Sequence, residues 1–240
     1  MADEKRITVD GLRALVVKPD SPSKGGVLVL PTIQGIEHHM QTVCGWITDA
    51  GLTALVWDPF SAYDREMPPE KRYPIGRDQL EDRPALQEQI HWVDYMHQEL
   101  GLESVGTIGF CLGGRMVFTL CAAEPRLKAC VAYHPSIDYP SPSRHLDAVA
   151  AAKDVTCPVQ ILYPGQDRIT KRETFQALRE SLEKSAAPTI VQLFPHADHG
   201  FTERGVSIVS GVDRGSNPAN IEATKLGWPQ TVALFRACLL

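Results

Sequence analysis

The stretch Gly109-Phe110-Cys111-Leu112-Gly113-Gly114 sets a thiol among small residues, after the apolar run "SVGTIGF" and before the helical pattern "LGGRMVFTLCAAEP". A strand that turns this sharply into a helix strains its central residue, so the positions two away must be small. The central side chain then projects above the sheet at a helix N-terminus, where the helix dipole and free N–H groups favour a thiolate. The chemistry such a group does is nucleophilic attack on an acyl carbonyl. The competing reading is a structural turn around an inert cysteine, which needs glycine on both sides less often.

A thiol nucleophile needs a base, and the base needs an orienting acid. "ILYPGQD" places Asp167 just past an apolar run, and "FPHADHGF" places His199 after the next one. Alone, each reads as a turn-forming Asp or a surface His. The chain order of nucleophile, acid and base is what gives the three a joint meaning. His199 is expected to move the proton and Asp167 to fix its tautomer. The oxyanion would be held by the N–H of Leu112, the residue after the nucleophile, and by that of Ile33 in the loop "PTIQG". His196 and Asp198 also permit a metal reading, but two histidines without a third ligand at suitable spacing make a weak zinc site. No metal is expected.

These residues need a scaffold that brings distant loops together. Apolar runs at "LRALVVKP", "GGVLVLP", "LTALVWDP", "SVGTIGF", "LKACVAYHP", "PVQILYPG" and "TIVQLFP" alternate with helical patterns. The helices include "HHMQTVCGWITDAG", "PALQEQIHWVDYMHQELG", "RETFQALRESLEKS" and a closing one over 219–239. Short continuous apolar strands between amphipathic helices predict an α/β fold with a mostly parallel sheet covered on both faces. The length, 240 residues, suits one domain over 1–240. The Pro-rich, charged stretch 59–83 is long for a bare loop and reads as a pocket wall, a lid or a surface excursion. Trp46, Trp57, Trp92 and Trp228 are assigned to packing.

Composition narrows the partners. A net charge of −5 disfavours nucleic acid or an anionic membrane as the main partner. No apolar run approaches a membrane span, and the start "MADEKRITVDG" has no signal-peptide core, so a cytoplasmic location is expected. Six cysteines without a C-x-x-C pair fit neither a zinc ribbon nor a disulfide scaffold. Cysteines other than Cys111 sit in apolar or mixed surroundings and read as buried small hydrophobes.

With "GFCLGG", "PGQD" and "HADHGF" in order, the chain resembles the dienelactone hydrolase family, the carboxymethylenebutenolidases, over nearly its whole length. The resemblance implies an α/β-hydrolase fold and a triad of Cys111, Asp167 and His199, with oxyanion donors at Leu112 and Ile33. It implies hydrolysis of small enol-lactones and related esters without metal or organic cofactor. The family carries Q-E-I-x-G after the first core strand, where its Glu helps control the thiol. Here Thr32 takes that place, with Glu37 near but out of register. The family also grips a substrate carboxylate with arginines. Glu203 occupies one expected position with Arg204 beside it, and Arg77 and Arg83 are candidates for the other. Tyr133 and His134 fall near a pocket aromatic of the family; His134 reads equally as a strand-end histidine. His38 and His39 either reach the pocket mouth or open a solvated helix. The expected partner is a small lactone or ester. A broad short-chain carboxylesterase or thioesterase is the alternative, and a non-catalytic binding module a remote one. The sequence sets no oligomeric state.

Overall fold

The computed structural model describes residues 3–203 and 213–240. Among the described residues eight strands form one sheet: β1 (Asp3–Val9), β2 (Leu12–Lys18), β3 (Gly25–Leu30), β4 (Thr53–Trp57), β5 (Ser104–Phe110), β6 (Cys130–Tyr133), β7 (Val159–Pro164) and β8 (Thr189–Phe194). The helices are α1 (His38–Asp49), α2 (Pro69–Asp78), α3 (Asp82–Gln98), α4 (Leu112–Ala123), α5 (Ala148–Ala151), α6 (Arg172–Leu182) and α7 (Pro218–Leu239). Strand order is β1-β2-β4-β3-β5-β6-β7-β8. Strands β4, β3, β5, β6, β7 and β8 run parallel, while β1 and β2 are antiparallel additions at one edge.

The continuous apolar strands alternate between two cores. In β3, Leu28 and Leu30 enter one core, and Val27 and Val29 enter the other. In β4, Leu55 and Trp57 divide from Ala54 and Val56 in the same way. One core is closed by α3, α4, α5 and α6 through Trp92, Val117, Phe118, Val149 and Leu178. The other is closed by α1 and α7 through Met40, Ile47 and Phe235. Apolar side chains on both faces are what a parallel sheet requires, because each face lies against helices.

Two features depart from the sequence expectation. β1 was not foreseen, since "DEKRITV" is charged and largely exposed; its register opposite β2 comes from the Asp10-Gly11 hairpin, with φ 51° and 82°. The stretch 59–83 is not a bare loop, because it contains α2, which opens at Pro69 and carries Pro74. The topology also fixes where chemistry can sit. The parallel strands β3, β5, β6, β7 and β8 all end at one edge of the sheet, and the segments holding Ile33, Cys111, His134, Asp167 and His199 follow those ends.

Candidate active site

Cys111 occupies the turn between β5 and α4 with φ 53° and ψ −111°, in the left-handed region that a side chain enters only under strain. Backbone bonds hold it there. Its N–H donates to the Tyr133 carbonyl at 3.2 Å, and its carbonyl accepts from Arg115 N at 3.2 Å and Ser136 N at 2.9 Å. The flanking glycines are set by close approach. A Cβ on Gly109 would strike the Gly113 carbonyl, and one on Gly113 would strike the Leu30 carbonyl. The start of α4 therefore lies against β5 and β3, with the Cys111 side chain part-exposed at the helix N-terminus.

Asp167 follows β7 and is fixed by its own turn. Its Oδ1 accepts from Ile169 N at 2.7 Å and Thr170 N at 3.0 Å. The other oxygen, Oδ2, lies 2.9 Å from His199 Nδ1. The carboxylate is completely buried and the imidazole is 8% exposed, so the pair is shielded from solvent. The loop carrying His199 is tied to α7, where buried Asn220 accepts from Asp198 N at 3.0 Å and donates to Asp198 Oδ1 at 2.8 Å. Burial opposes a charge on His199, yet its electrostatic and hydrogen-bond interactions with Cys111 and Asp167 outweigh it. The imidazole pKa rises to about 10. The ring is thus held as a cation beside the thiol near neutral pH.

The Leu112 and Ile33 N–H groups donate no hydrogen bond among the described residues. Leu112 N opens α4, where helix N–H groups lack intrahelical partners. Ile33 lies in a turn closed by Gly35 N donating to the Thr32 carbonyl at 2.9 Å. The Thr32 hydroxyl is buried and accepts from Gln34 N at 3.3 Å.

The structure does not gather every residue proposed for the substrate. Glu37 forms an ion pair with Arg72 of α2 rather than with the thiol. Arg72 also donates to the Gln34 carbonyl at 3.1 Å, so this pair clamps the 32–37 loop to α2. Arg77 is exposed and bound to Asp78. Arg83 is exposed and lines a separate cavity of about 290 Å³ with Glu81, Ser143, Arg144 and His145. Tyr133 is fully buried: its ring stacks on Phe110 and its hydroxyl lies 2.8 Å from Thr231 Oγ1. Arg204 lies outside the described residues. Glu203 pairs at 2.8 Å with Arg214, a cation whose place in the chain gave no sequence signal.

His134 is neither a surface residue nor a plain core histidine. It is fully buried at φ 34°, with its ring edge-on to that of His199 at 4.9 Å between centroids. His39, at the start of α1, reaches the same group through Thr202. Behind the elbow lies a network that spacing did not reveal: Arg115 of α4 meets Asp82 at 2.7 Å, both nearly inaccessible, and also contacts His145. The thiols of Cys44, Cys121 and Cys130 are buried and raised by that burial, Cys44 to about 12. His196 is exposed, and Asp198 is engaged by Asn220, so neither joins His199.

Known proteins share this arrangement of sequence and fold. A Yersinia pestis protein named for carboxymethylenebutenolidase is 26% identical over 210 residues, spanning 80% of this chain and 74% of its own. The Rhodococcus opacus carboxymethylenebutenolidase is 22% identical over 231 residues, 96% of this chain and 88% of its own. The crystal structure of a Klebsiella pneumoniae protein named after dienelactone hydrolase superposes with a TM-score of 0.80 at 24% identity, covering 98% of each chain. The sheet is that of the α/β-hydrolase fold. The profile of the dienelactone hydrolase family matches residues 12–239, and the chain belongs to that family.

Proposed function

We propose that the chain hydrolyses small activated esters, above all anionic enol-lactones, through Cys111, His199 and Asp167. One observation carries the reading: a part-exposed thiol at a strained helix N-terminus beside a buried imidazole paired at 2.9 Å with a buried carboxylate. The Cys111 thiolate attacks the lactone carbonyl, forming an S–C bond while the carbonyl electron pair moves onto oxygen. The N–H groups of Leu112 and Ile33 receive that oxyanion. As the carbonyl re-forms, the ring C–O bond breaks and the enolate leaves, taking its proton from the His199 imidazolium, which becomes neutral. Water then gives a proton to neutral His199 and attacks the thioester carbon. The C–S bond breaks, and thiolate and imidazolium are restored. Thiolate expels poor leaving groups slowly, so a stabilised enolate or phenolate suits this site better than an alkoxide or amide.

The name of the Rhodococcus opacus relative supports a lactone as the substrate class. One observation favours the wider alternative of a short-chain carboxylesterase. Arg77 is committed to Asp78, and the cavity lined by Arg83 includes no triad residue, so neither is poised as a carboxylate clamp. A panel of enol-lactones with and without a carboxylate, assayed beside aryl acetates, tests the reading. Preference for the carboxylated lactones, with competition by small carboxylates, supports it. Equal turnover of neutral aryl acetates favours the esterase. If Cys111→Ala retained full activity, both would be excluded.

A further inference from the structure

One cavity, of about 290 Å³, includes no triad residue and is lined by Glu81, Arg83, Ser143, Arg144 and His145. That volume lies near the lower end of small-molecule sites. Its two guanidinium groups are not committed to carboxylates. Among the described residues the Arg83 side chain makes no hydrogen bond or ion pair. Arg144 donates to the Arg77 carbonyl at 2.9 Å, and its Nε is buried with no partner. Glu81 shares the cavity, yet among the described residues it pairs with neither arginine. By contrast, Arg72, Arg77 and Arg115 are each held by a carboxylate.

The histidine of the cavity reports the same electrostatics. The His145 side chain is 5% exposed, and its Nδ1 lies 2.8 Å from Arg115 Nη1 and 3.6 Å from Asp138 Oδ2. Burial, with the charges of Arg115 and Arg144, lowers its pKa to about 3, so the ring is neutral and adds no counter-charge. Asp82, the buried carboxylate next to Glu81, is spent on Arg115 and on Leu146 N. Two cations lining one cavity repel each other, and an anion between them reverses the sign of that interaction. A buried N–H without an acceptor, here Arg144 Nε, adds to the demand for one.

We propose that this cavity is a second ligand site, apart from the triad, that takes a small dianion of the phosphate or short dicarboxylate kind. The guanidinium groups of Arg83 and Arg144 each take one negative charge, because their paired N–H donors match two oxygens of a phosphate or carboxylate. The Ser143 hydroxyl supplies a neutral donor, and Arg144 Nε gains the acceptor it lacks. Two cations select a dianion over a monoanion such as acetate, while Glu81 at the same cavity weakens either. No step of ester hydrolysis uses this site, so it stands or falls separately from the thioester route.

Calorimetric titration of the full chain at low ionic strength and about pH 8 tests the site, with inorganic phosphate and succinate as probes and acetate as the monoanion control. Phosphate or succinate is expected to bind saturably with a Kd in the millimolar range, and acetate about tenfold more weakly. Whichever dianion binds more tightly tells a phosphoryl ligand from a dicarboxylate. Arg83→Gln and Arg144→Gln should each weaken it about tenfold or more, and Glu81→Gln should tighten it about threefold. The NMR signals of the His145 ring should move with the same Kd. Arg83 is exposed, so its variant carries the test even if Arg144→Gln lowers the urea midpoint. Cys111→Ala should bind as the parent does. Failure of both dianions to bind, or binding that ignores both arginine substitutions, would overturn the site. Loss of binding in Cys111→Ala would also overturn it, by placing the anion at the thiol.

Discussion

In the proposed mechanism Cys111, His199 and Asp167 act as a unit, and the structure constrains each of them. The Cys111 backbone is strained, and the carboxylate of Asp167 is spent on two turn N–H groups and one imidazole. Asp167→Asn is expected to keep the fold and lower kcat about 10²–10⁴-fold, since an amide permits the wrong imidazole tautomer; steady-state kinetics on an aryl acetate measures it. The His199 titration gives a second test. Its folded pKa, about 10, lies above the ordinary value near 6.5, so the stabilisation is complete below the ordinary value and is lost as pH rises through about 10. Removing the thiol in Cys111→Ala should move the ring's titration down, read by NMR of the imidazole nitrogens. An unchanged titration would mean that thiol and ring do not interact. The positions of Cys111, Asp167 and His199 after strand ends were legible in the sequence because they stand in glycine-marked turns. His39, Thr202, Asn220 and Arg214 were not, because each acts through a contact made only on folding.

At the scale of elements, α2 is the piece that spacing could not place. Its sequence, "PEKRYPIGRD", is polar and interrupted by proline, and its role comes from the Glu37–Arg72 pair and from Gly76 packing on Ile33. The pair is partly exposed, so breaking it should cost less than about 1 kcal/mol of stability. Arg72→Ala is nevertheless expected to lower kcat/KM about tenfold, because it frees the loop that carries the Ile33 N–H. Unfolding curves and kinetics together separate the two effects. The Arg115–Asp82 pair behind the elbow behaves oppositely. Burial lowers the Arg115 pKa and raises that of Asp82, which marks two charges kept out of water at a cost. Asp82→Ala strands the guanidinium and should cost about 3–5 kcal/mol in urea unfolding. The central strands were readable because continuous apolar runs serve both cores. β1 was not, because an edge strand with little burial carries no such run.

Across the whole molecule, the sheet gathers chemistry at one edge while distributing titratable groups through the interior. No helix among the described residues is long and apolar enough to cross a membrane. His145 is held near a pKa of about 3 by burial and by the charges of Arg115 and Arg144. Its folded pKa lies below the unfolded one, so the unfolded chain binds more protons between the two values. Stability is therefore full above about pH 6.5 and falls as pH drops toward about 3, by an amount on the order of a few kcal/mol. His145→Gln should flatten this dependence when urea midpoints near neutral pH are compared with those at about pH 4.5. Equal slopes in parent and variant would contradict the assignment. The fold class was legible in the alternation of strands and helices. This buried charge network was not, since Asp82, Arg115 and His145 are dispersed along the chain and meet only in three dimensions.

The most direct test of the central claim is intact-mass analysis of protein quenched during turnover of p-nitrophenyl acetate, followed by peptide mapping. One acetyl group on Cys111, absent from Cys111→Ala together with the activity, is the predicted result. Undiminished hydrolysis with no acyl group on that sulfur would contradict it.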